Sequence, residues 1–281
     1  MLAPYSVSVL QIDSWPKLRS PVLVATLAGW VDAGEAGSGA ATMLHAQLES
    51  AREFGRYDLT DILDLQQTRP TVSLVEGTTR KVTWPSIDLT AGRAGRDVVL
   101  CVGPEPSLRW PSFIGDMVDV TRRLGVEQAF TLGGMPALVS HRRPTSVLTT
   151  ATSASLAQET GAIRADYQGP TGAQTALQVA LGEAGVPTVG LWAQVPHYVA
   201  GNASPPAIRA LLERLRELAG LRVDVQMLDD ECDVYTNKVE EGVAERPDVA
   251  ELVRAIEENS PPEDVTGDDI AAEIERFLRD Q

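Results

Sequence analysis

Apolar residues in this chain fall into short continuous runs that are separated by amphipathic segments and by glycines. The run at 21–28 is rich in β-branched residues and ends at Gly29, which is typical of a buried strand. Runs at 97–102, 128–132 and 187–195 predict further buried strands. Because continuous apolar runs of this length indicate burial on both faces, we expect the strands to share one mostly parallel sheet.

Amphipathic segments between these runs predict helices at about 38–54, 112–124, 172–184 and 206–218. The last three are followed closely by a glycine, the residue that most often lies just past the end of a helix. The repeated order of strand, helix, glycine and strand indicates an α/β fold with crossover helices.

Two other segments alternate between apolar and polar residues with the period of a strand. Residues 71–84 alternate on both sides of Gly77, and this pattern predicts a β-hairpin at a sheet edge. Residues 221–228 alternate in the same way and predict one further strand.

The net charge of −15 lies almost entirely at the C-terminal end of the chain. Residues 229–281 hold 18 acidic and 5 basic residues, whereas residues 1–228 hold 21 and 19. We therefore divide the chain into an α/β core domain at 1–228 and an acidic helical extension at 229–281. The extension is either a solvated surface or a docking surface for a basic partner.

Prolines break the extension into short helical pieces, and the last piece places four large apolar residues on one face. These residues are Ile270, Ile274, Phe277 and Leu278. An isolated helix this short is marginal in water, so we expect it to pack on the core or on a neighbouring subunit.

Composition argues against several classes of protein. No apolar run is long enough for a membrane-spanning helix, and an acidic surface argues against nucleic acid as the main partner. The N-terminus lacks the pattern of a signal peptide, and the two cysteines, Cys101 and Cys232, form no disulfide or metal-ligand pattern. We therefore expect a cytoplasmic protein that uses no membrane, metal or cofactor.

The densest cluster of glycines lies at 29–39, between the first predicted strand and the first predicted helix. α/β proteins often bind ligands at such a turn, but this spacing matches neither the dinucleotide fingerprint nor a phosphate-binding loop. Trp30 and Asp32 are candidate pocket residues here. In the alternative interpretation, Asp32 satisfies backbone N–H groups at the start of the helix.

Glu105 follows a predicted strand, in the proline-rich loop 103–106. The carboxyl end of a strand is the usual edge for a site in an open α/β sheet, which makes Glu105 a candidate pocket residue. In the alternative interpretation, Glu105 pairs with a nearby arginine and only holds the loop.

His141 and Arg143 are candidates because an imidazole beside guanidinium groups can bind an anion such as phosphate. The adjacent arginines also favour a neutral His141. The alternative is a surface loop that pairs with the acidic extension, within the chain or across a subunit interface.

Four further candidates lie in two loops. Tyr167 and Thr171 precede the predicted helix at 172–184, and His197 and Tyr198 follow the predicted strand at 187–195. Such residues line a pocket or are half-buried with one hydrogen bond each. No nucleophile–base motif accompanies them, so the sequence favours a binding protein over an enzyme.

Five motifs, taken in order, resemble the bacterial branch of the proteasome assembly chaperone family, of the second-chaperone type. They are Gly-Trp-Val-Asp-Ala-Gly at 29–34, Gly-Pro-Glu-Pro at 103–106, His-Arg-Arg-Pro at 141–144, Tyr-Gln-Gly-Pro-Thr-Gly at 167–172 and Val-Pro-His-Tyr at 195–198. The resemblance spans about residues 10–228, and Arg142 stands where the family pattern usually has threonine.

The resemblance implies a three-layer α/β/α fold similar to that of purine nucleoside phosphorylases. It also implies a homo-oligomer, with a trimer as one option, and a protein partner such as proteasome subunits. Several family members dock through a C-terminal hydrophobic-Tyr-X tail, whereas this chain has Asp280 at the tyrosine position. Our leading hypothesis is therefore a non-catalytic, homo-oligomeric assembly protein. The alternative is a nucleoside phosphorylase-like or hydrolase-like enzyme, or a nucleotide-binding protein, with a site at the loops 29–39 and 103–106.

Overall fold

The structure is a computed structural model that describes residues 10–59, 61–163 and 167–259 of the chain. The strands are β1 Leu10–Ile12, β2 Val22–Ala28, β3 Glu49–Asp58, β4 Thr71–Val75, β5 Thr78–Thr83, β6 Ser86–Ala94, β7 Arg96–Pro104, β8 Gln128–Ala137, β9 Val147–Ala151 and β10 Thr188–Pro196. The helices are α1 Ala36–Ala46, α2 Trp110–Leu124, α3 Ala154–Glu159, α4 Ala173–Glu183, α5 Pro205–Ala219, α6 Asp229–Ala244 and α7 Pro247–Asn259. None of the helices in these ranges is long and apolar enough to cross a membrane.

Eight strands form one mixed sheet in the order β1-β3-β6-β7-β2-β8-β10-β9. The central strands β7, β2, β8 and β10 run parallel to one another, whereas the flanking strands pair antiparallel. The prediction of a mostly parallel sheet therefore holds only for the centre. On one side of the centre, β6 turns directly into β7 at Gly95, whose φ of +81° is readily available only to glycine.

Helices cover both faces of this sheet, because alternate residues of a strand point to opposite sides. In β2, Val22 and Val24 belong to one buried cluster together with residues of α1 and α5. Leu23 and Leu27 belong to a second buried cluster together with residues of α2 and α4. The sheet thus lies between two helical layers, which is a mixed α/β architecture of the kind that the sequence predicts.

The helices α6 and α7 pack on each other and on the α/β layers. Cys232 of α6 joins the cluster under α1 and α5, and Nη1 of Arg209 lies 2.8 Å from Oδ1 of Asp229. A smaller apolar cluster between the two helices contains Val239, Val243 and Val253. Pro247 begins α7, in agreement with the predicted break. The amphipathic stripe predicted at 270–278 lies outside the described residues.

The helix predicted at 38–54 is too long. In the structure α1 ends at Ala46, and the chain continues as β3, which pairs antiparallel with β6. This pairing buries Phe54 and Tyr57 in the second cluster. Long-range strand pairing therefore overrides a local pattern that also fits a helix.

The strand predicted at 221–228 is not part of a sheet. Its side chains alternate between buried and exposed as far as Val225, but a short 3-10 turn follows. The N–H of Arg222 donates to the carbonyl of Ala94, and the N–H of Asp224 donates to a side-chain amide. The alternation therefore reflects an extended segment that packs on the body without a strand ladder.

The hairpin predicted at 71–84 is present as β4 and β5, with Gly77 in the turn. It forms a separate two-stranded sheet, so its predicted position at an edge of the main sheet is wrong. Every residue of both strands is exposed.

Candidate functional site

Most of the predicted site residues follow the carboxyl end of a parallel strand. They are Trp30 and Asp32 after β2, Glu105 after β7, His141 and Arg143 after β8, and His197 and Tyr198 after β10. This is the edge at which open α/β sheets bind ligands. The structure nevertheless gives these residues different neighbours, so they do not act as one group.

Asp32 stabilises the N-terminal end of α1. Its Oδ1 atom accepts the N–H groups of Gly37 and Ser38 at 2.8 and 3.2 Å, and its Oδ2 atom accepts the Ser38 hydroxyl at 2.5 Å. The N–H groups in the first turn of a helix have no acceptor within the helix, so a carboxylate here supplies one. The alternative in which Asp32 satisfies backbone N–H groups matches these contacts.

Glu105 joins the turn after β2 to the start of α4. Its Oε1 atom accepts the N–H of Ala173 at 2.6 Å, and the N–H of Trp30 also donates to the carboxylate. Burial raises the pKa of Glu105 above its ordinary value, and the two hydrogen bonds oppose that shift. The carboxylate therefore holds the loop as the alternative interpretation requires, but its partners are backbone N–H groups rather than an arginine.

Two glycines permit this close approach to Glu105. A Cβ atom added at Gly172 would lie 2.7 Å from Oε1 of Glu105, and one added at Gly29 would lie 3.1 Å from its Cβ atom. The glycines of the motifs at 29–34 and 167–172 thus make room for the same side chain. The two motifs and Glu105 are therefore linked by direct contact in the structure.

His141 is buried beneath the C-terminal helices, with 1% of its side chain exposed. Its backbone N–H donates to the hydroxyl of Tyr198 at 2.9 Å, and its Nδ1 atom lies 2.7 Å from the same hydroxyl. Its Nε2 atom lies 3.2 Å from Oε1 of Glu240, although this contact lacks hydrogen-bond geometry. Burial lowers the pKa of His141; Glu240 opposes that shift and Arg142 adds to it.

The loop that carries His141 is tied to α6 and α7 of the same chain. Arg142 donates from Nε and Nη2 to the two carboxylate oxygens of Glu240, at 2.6 and 2.9 Å. Nη1 of Arg142 donates to Glu257 at 3.2 Å, and the Ser140 hydroxyl donates to the same carboxylate at 2.7 Å. Arg143 donates to the backbone carbonyl of Glu257 at 3.1 Å. These contacts are those of the alternative in which the loop pairs with the acidic extension.

Trp30, Tyr167 and Thr171 lie on a different surface, a groove of about 930 Å³. We call it the Trp30–Trp192 groove; its other walls include Leu148 and Val179. Glu183 is the one side chain that is charged at neutral pH among the described residues that line it. The described part of this surface is suited to apolar contact, and no Lys, Arg or His within it could bind a phosphate group.

Three residues that the sequence does not single out form the polar floor of this groove. Nε1 of Trp192 and Nε2 of Gln178 each donate to the hydroxyl oxygen of Thr150, both at 3.1 Å. One helical turn earlier, buried Gln174 accepts the N–H of Leu27 at 2.8 Å and donates to the carbonyl of Leu132. Two glutamines one turn apart in a mostly apolar helix are the signal that sequence analysis could have used.

The remaining candidates do not line that groove. His197 is exposed, and its ring packs edge-on against the half-buried Tyr198. Tyr198 also lines a second groove of about 720 Å³ beside α6. Within the described ranges, no group of three His, Cys, Asp or Glu side chains could hold a metal ion.

Comparison with known proteins gives a consistent result. The model of the PAC2 family matches residues 26–243. A PAC2 family protein from Streptomyces avermitilis is similar, with 39% identity and a TM-score of 0.76, covering 83% of this chain and 99% of that one. A proteasome-assembly chaperone homologue from Mycobacterium tuberculosis has 35% identity, a TM-score of 0.75 and the same two coverages.

A protein of unknown function from Mycobacterium tuberculosis has 28% identity and a TM-score of 0.81, covering 89% of each chain. No curated protein matches the sequence significantly.

Proposed function

The chain belongs to the PAC2 family, and from this premise we propose that it is a non-catalytic assembly protein that holds a protein segment in the Trp30–Trp192 groove. The proposal depends chiefly on the character of that groove. It is large and mostly apolar, and it contains aromatic side chains, which dominate protein interfaces.

The contacts and burial of the ionisable candidate residues favour a binding function over a catalytic one. Asp32 and Glu105 are engaged by backbone N–H groups, and His141 is buried beneath the extension. An acid–base catalyst must lie within reach of a substrate, and these three groups do not line the groove. The nucleoside phosphorylase-like alternative also lacks a Lys, Arg or His among the described groove residues.

Proteasome subunits are the partner that we propose, because a structure similar to this chain is a proteasome-assembly chaperone homologue. The homo-oligomer, the cytoplasmic location, the phosphorylase-like fold name and the division at residue 228 are further parts of the proposal. Cys232 of α6 is buried in the first apolar cluster, and Arg209 of α5 forms an ion pair with Asp229 of α6. Both contacts support an extension that folds back on its own chain.

Co-purification with the proteasome subunits of the source organism tests the groove. Val179, which is 51% exposed in the groove, is changed to Asp; Leu108, which is 59% exposed elsewhere, is changed to Asp as a matched control. We expect Val179→Asp to reduce recovery of the subunits at least about tenfold, since a charge is desolvated at the contact. Leu108→Asp is expected to behave as the unmodified chain. Equal recovery with both variants contradicts the groove as the binding site.

A further inference from the structure

The groove beside α6 follows that helix over most of its length. Lining residues recur every three or four positions along α6 and just past its end; they include Glu231, Val234, Lys238, Gly242 and Arg246. A helix rises about 1.5 Å per residue, so this stretch is about 22 Å long. Val249 of α7 and the segment 198–205 form the other walls. This α6 groove has the shape that a second helix fills.

The wall of the α6 groove is apolar, and part of it is exposed. Val234 is 52% exposed, whereas Val239 and Val243, which also line the groove, are buried. A Cβ atom added at Gly242 would meet no atom within 4 Å. Glycine is unfavourable inside a helix, and at this position it leaves room for a second helix to approach closely. An exposed valine beside open space on an apolar wall indicates an interaction surface.

The chain supplies its own candidate for this surface in residues 268–279. This segment carries the predicted apolar stripe, whose members are Ile270, Ile274, Phe277 and Leu278. They recur at i, i+4, i+7 and i+8, which is the spacing of one helical face. Twelve helical residues are about 18 Å long, so the segment is shorter than the groove. Because so short a helix is marginal in water, its apolar face needs a surface to pack on.

The described residues end within reach of the α6 groove. α7 passes the groove at Val249 and ends at Asn259, about 15 Å further along the helix. Residues 260–267 separate α7 from the segment, and eight residues extend to at most about 28 Å. The chain can therefore return along α7 and enter the groove near Arg246. A segment tethered this closely has a high effective concentration, which favours it over a second copy of the chain.

Charge selects the direction of the segment in the groove. The charged groove residues run from acidic to basic along the chain: Asp230, Glu231, Lys238 and Arg246. The segment likewise has four acidic residues at 268–275 and then two arginines, at 276 and 279. Two helices with this order of charges attract each other when they lie antiparallel, because each acidic end then faces a basic end.

We propose that residues 268–279 form a helix that lies antiparallel to α6 in the α6 groove of the same chain. In the register that we propose, Glu273 lies opposite Lys238. The same register places Phe277 opposite Val234, because the spacing is four residues in both helices. The segment then fills the α6 groove and leaves the Trp30–Trp192 groove open to a partner.

This inference rests on one part of the proposed function, the extension that folds back on its own chain, and it names the surface that receives the extension. No described residue lines both the α6 groove and the Trp30–Trp192 groove. A failure of the contact in the α6 groove is therefore distinguishable from a failure of partner binding in the Trp30–Trp192 groove.

Hydrogen exchange in the full chain tests the contact. We expect amides at 268–279 to exchange at least about tenfold more slowly than in a free peptide of the same residues. Val234→Asp is expected to remove this protection, because a carboxylate is then desolvated against Phe277. Leu108→Asp changes a side chain that is 59% exposed outside the groove, and this control is expected to keep the protection.

An exchange of charges tests the register. Lys238→Glu and Glu273→Lys are each expected to reduce the protection about threefold, because like charges then meet at a partly exposed site. The double variant is expected to restore it, since the two charges are opposite again. A double variant that is protected no better than the single variants contradicts the proposed pairing.

Three results overturn the proposal. The first is exchange at 268–279 as fast as in the free peptide, and the second is protection that persists in Val234→Asp, which places the segment on another surface. The third is protection that disappears on dilution together with an oligomer seen in sedimentation velocity, because the groove then belongs to a second copy. Recovery of proteasome subunits with Val179→Asp decides the Trp30–Trp192 groove independently of these results.

Discussion

Glu105 and His141 lie at the same edge of the sheet, each after a parallel strand, yet their surroundings differ. Glu105 is held by backbone N–H groups of the turn after β2 and of the first residue of α4. His141 lies under an ion-pair network that ties its loop to α6 and α7. An ionisable residue at the favoured edge of an α/β sheet is therefore a candidate for catalysis only when its neighbours leave it available.

Replacement of Glu105 is expected to have the largest effect on stability. Glu105→Ala leaves the N–H groups of Trp30 and Ala173 without their acceptor; Ala173 is buried, whereas Trp30 is 37% exposed. A buried donor left without an acceptor costs roughly 1–3 kcal/mol, so we expect the free energy of unfolding to fall by about 2 kcal/mol. Denaturant titration measures the change. Glu183→Ala, at the exposed end of the same helix, serves as the control and is expected to shift stability by less than about 0.5 kcal/mol.

Replacement of Arg142 is expected to have a smaller effect, because its ion pairs are partly exposed. Arg142→Ala removes the bidentate contact with Glu240 and the contact with Glu257, and we expect a loss of about 1 kcal/mol. Arg143→Ala removes one hydrogen bond to a backbone carbonyl and is expected to cost less. Hydrogen exchange localises the effect: amides of α6 and α7 should exchange faster in Arg142→Ala than in Arg143→Ala. Equal exchange in the two variants contradicts the role assigned to the Arg142 network.

The pH dependence of stability is expected to differ in sign between the two residues. The pKa of His141 is below its ordinary value of 6.5, so the unfolded chain binds more protons and this residue makes stability rise with pH up to about 6.5. The pKa of Glu105 is above its ordinary value of 4.5, so this residue makes stability fall as pH rises from 4.5 through the raised pKa.

Unfolding measured between pH 4.5 and 7 in single variants separates the two contributions. His141→Gln is expected to remove the rising part, and Glu105→Gln the falling part, with changes smaller than that of Arg142→Ala. The groups that face His141 are Tyr198, Arg142, Glu240 and Glu257; the two glutamates have pKa values below their ordinary 4.5 and act at lower pH. A slope that is the same in either variant as in the unmodified chain contradicts the assignment.

The sequence predicts the central strands β2 and β10 well, because each is a largely apolar run of strand length that ends near a glycine or a proline. It fails at β3, where residues compatible with a helix are recruited into antiparallel pairing that buries Phe54 and Tyr57. That pairing depends on β6, whose paired residues lie 28 to 44 positions further along the chain, so no local pattern predicts it.

The same contrast holds for the candidate site: residues that a local signal marks are predicted, and residues that meet from separate elements are not. Asp32 and Glu105 are found from the sequence because glycines and prolines mark their loops, and the alternative interpretation of each matches the observed contacts in large part. The floor of the groove is not found, because Thr150, Gln178 and Trp192 meet from three separate elements. The sequence predicts that the loop containing Arg142 pairs with acidic residues near the C-terminus, because their charges are opposite. It does not predict which carboxylates bind Arg142.

Photo-crosslinking from within the groove tests the central claim most directly. A benzophenone amino acid is placed at position 179 in the groove and, as a control, at position 108, and the cells that express each variant are irradiated. We predict a discrete adduct with a proteasome subunit from position 179 and none from position 108. No adduct from position 179, or the same adduct from both positions, would contradict the Trp30–Trp192 groove as the place where this protein holds its partner.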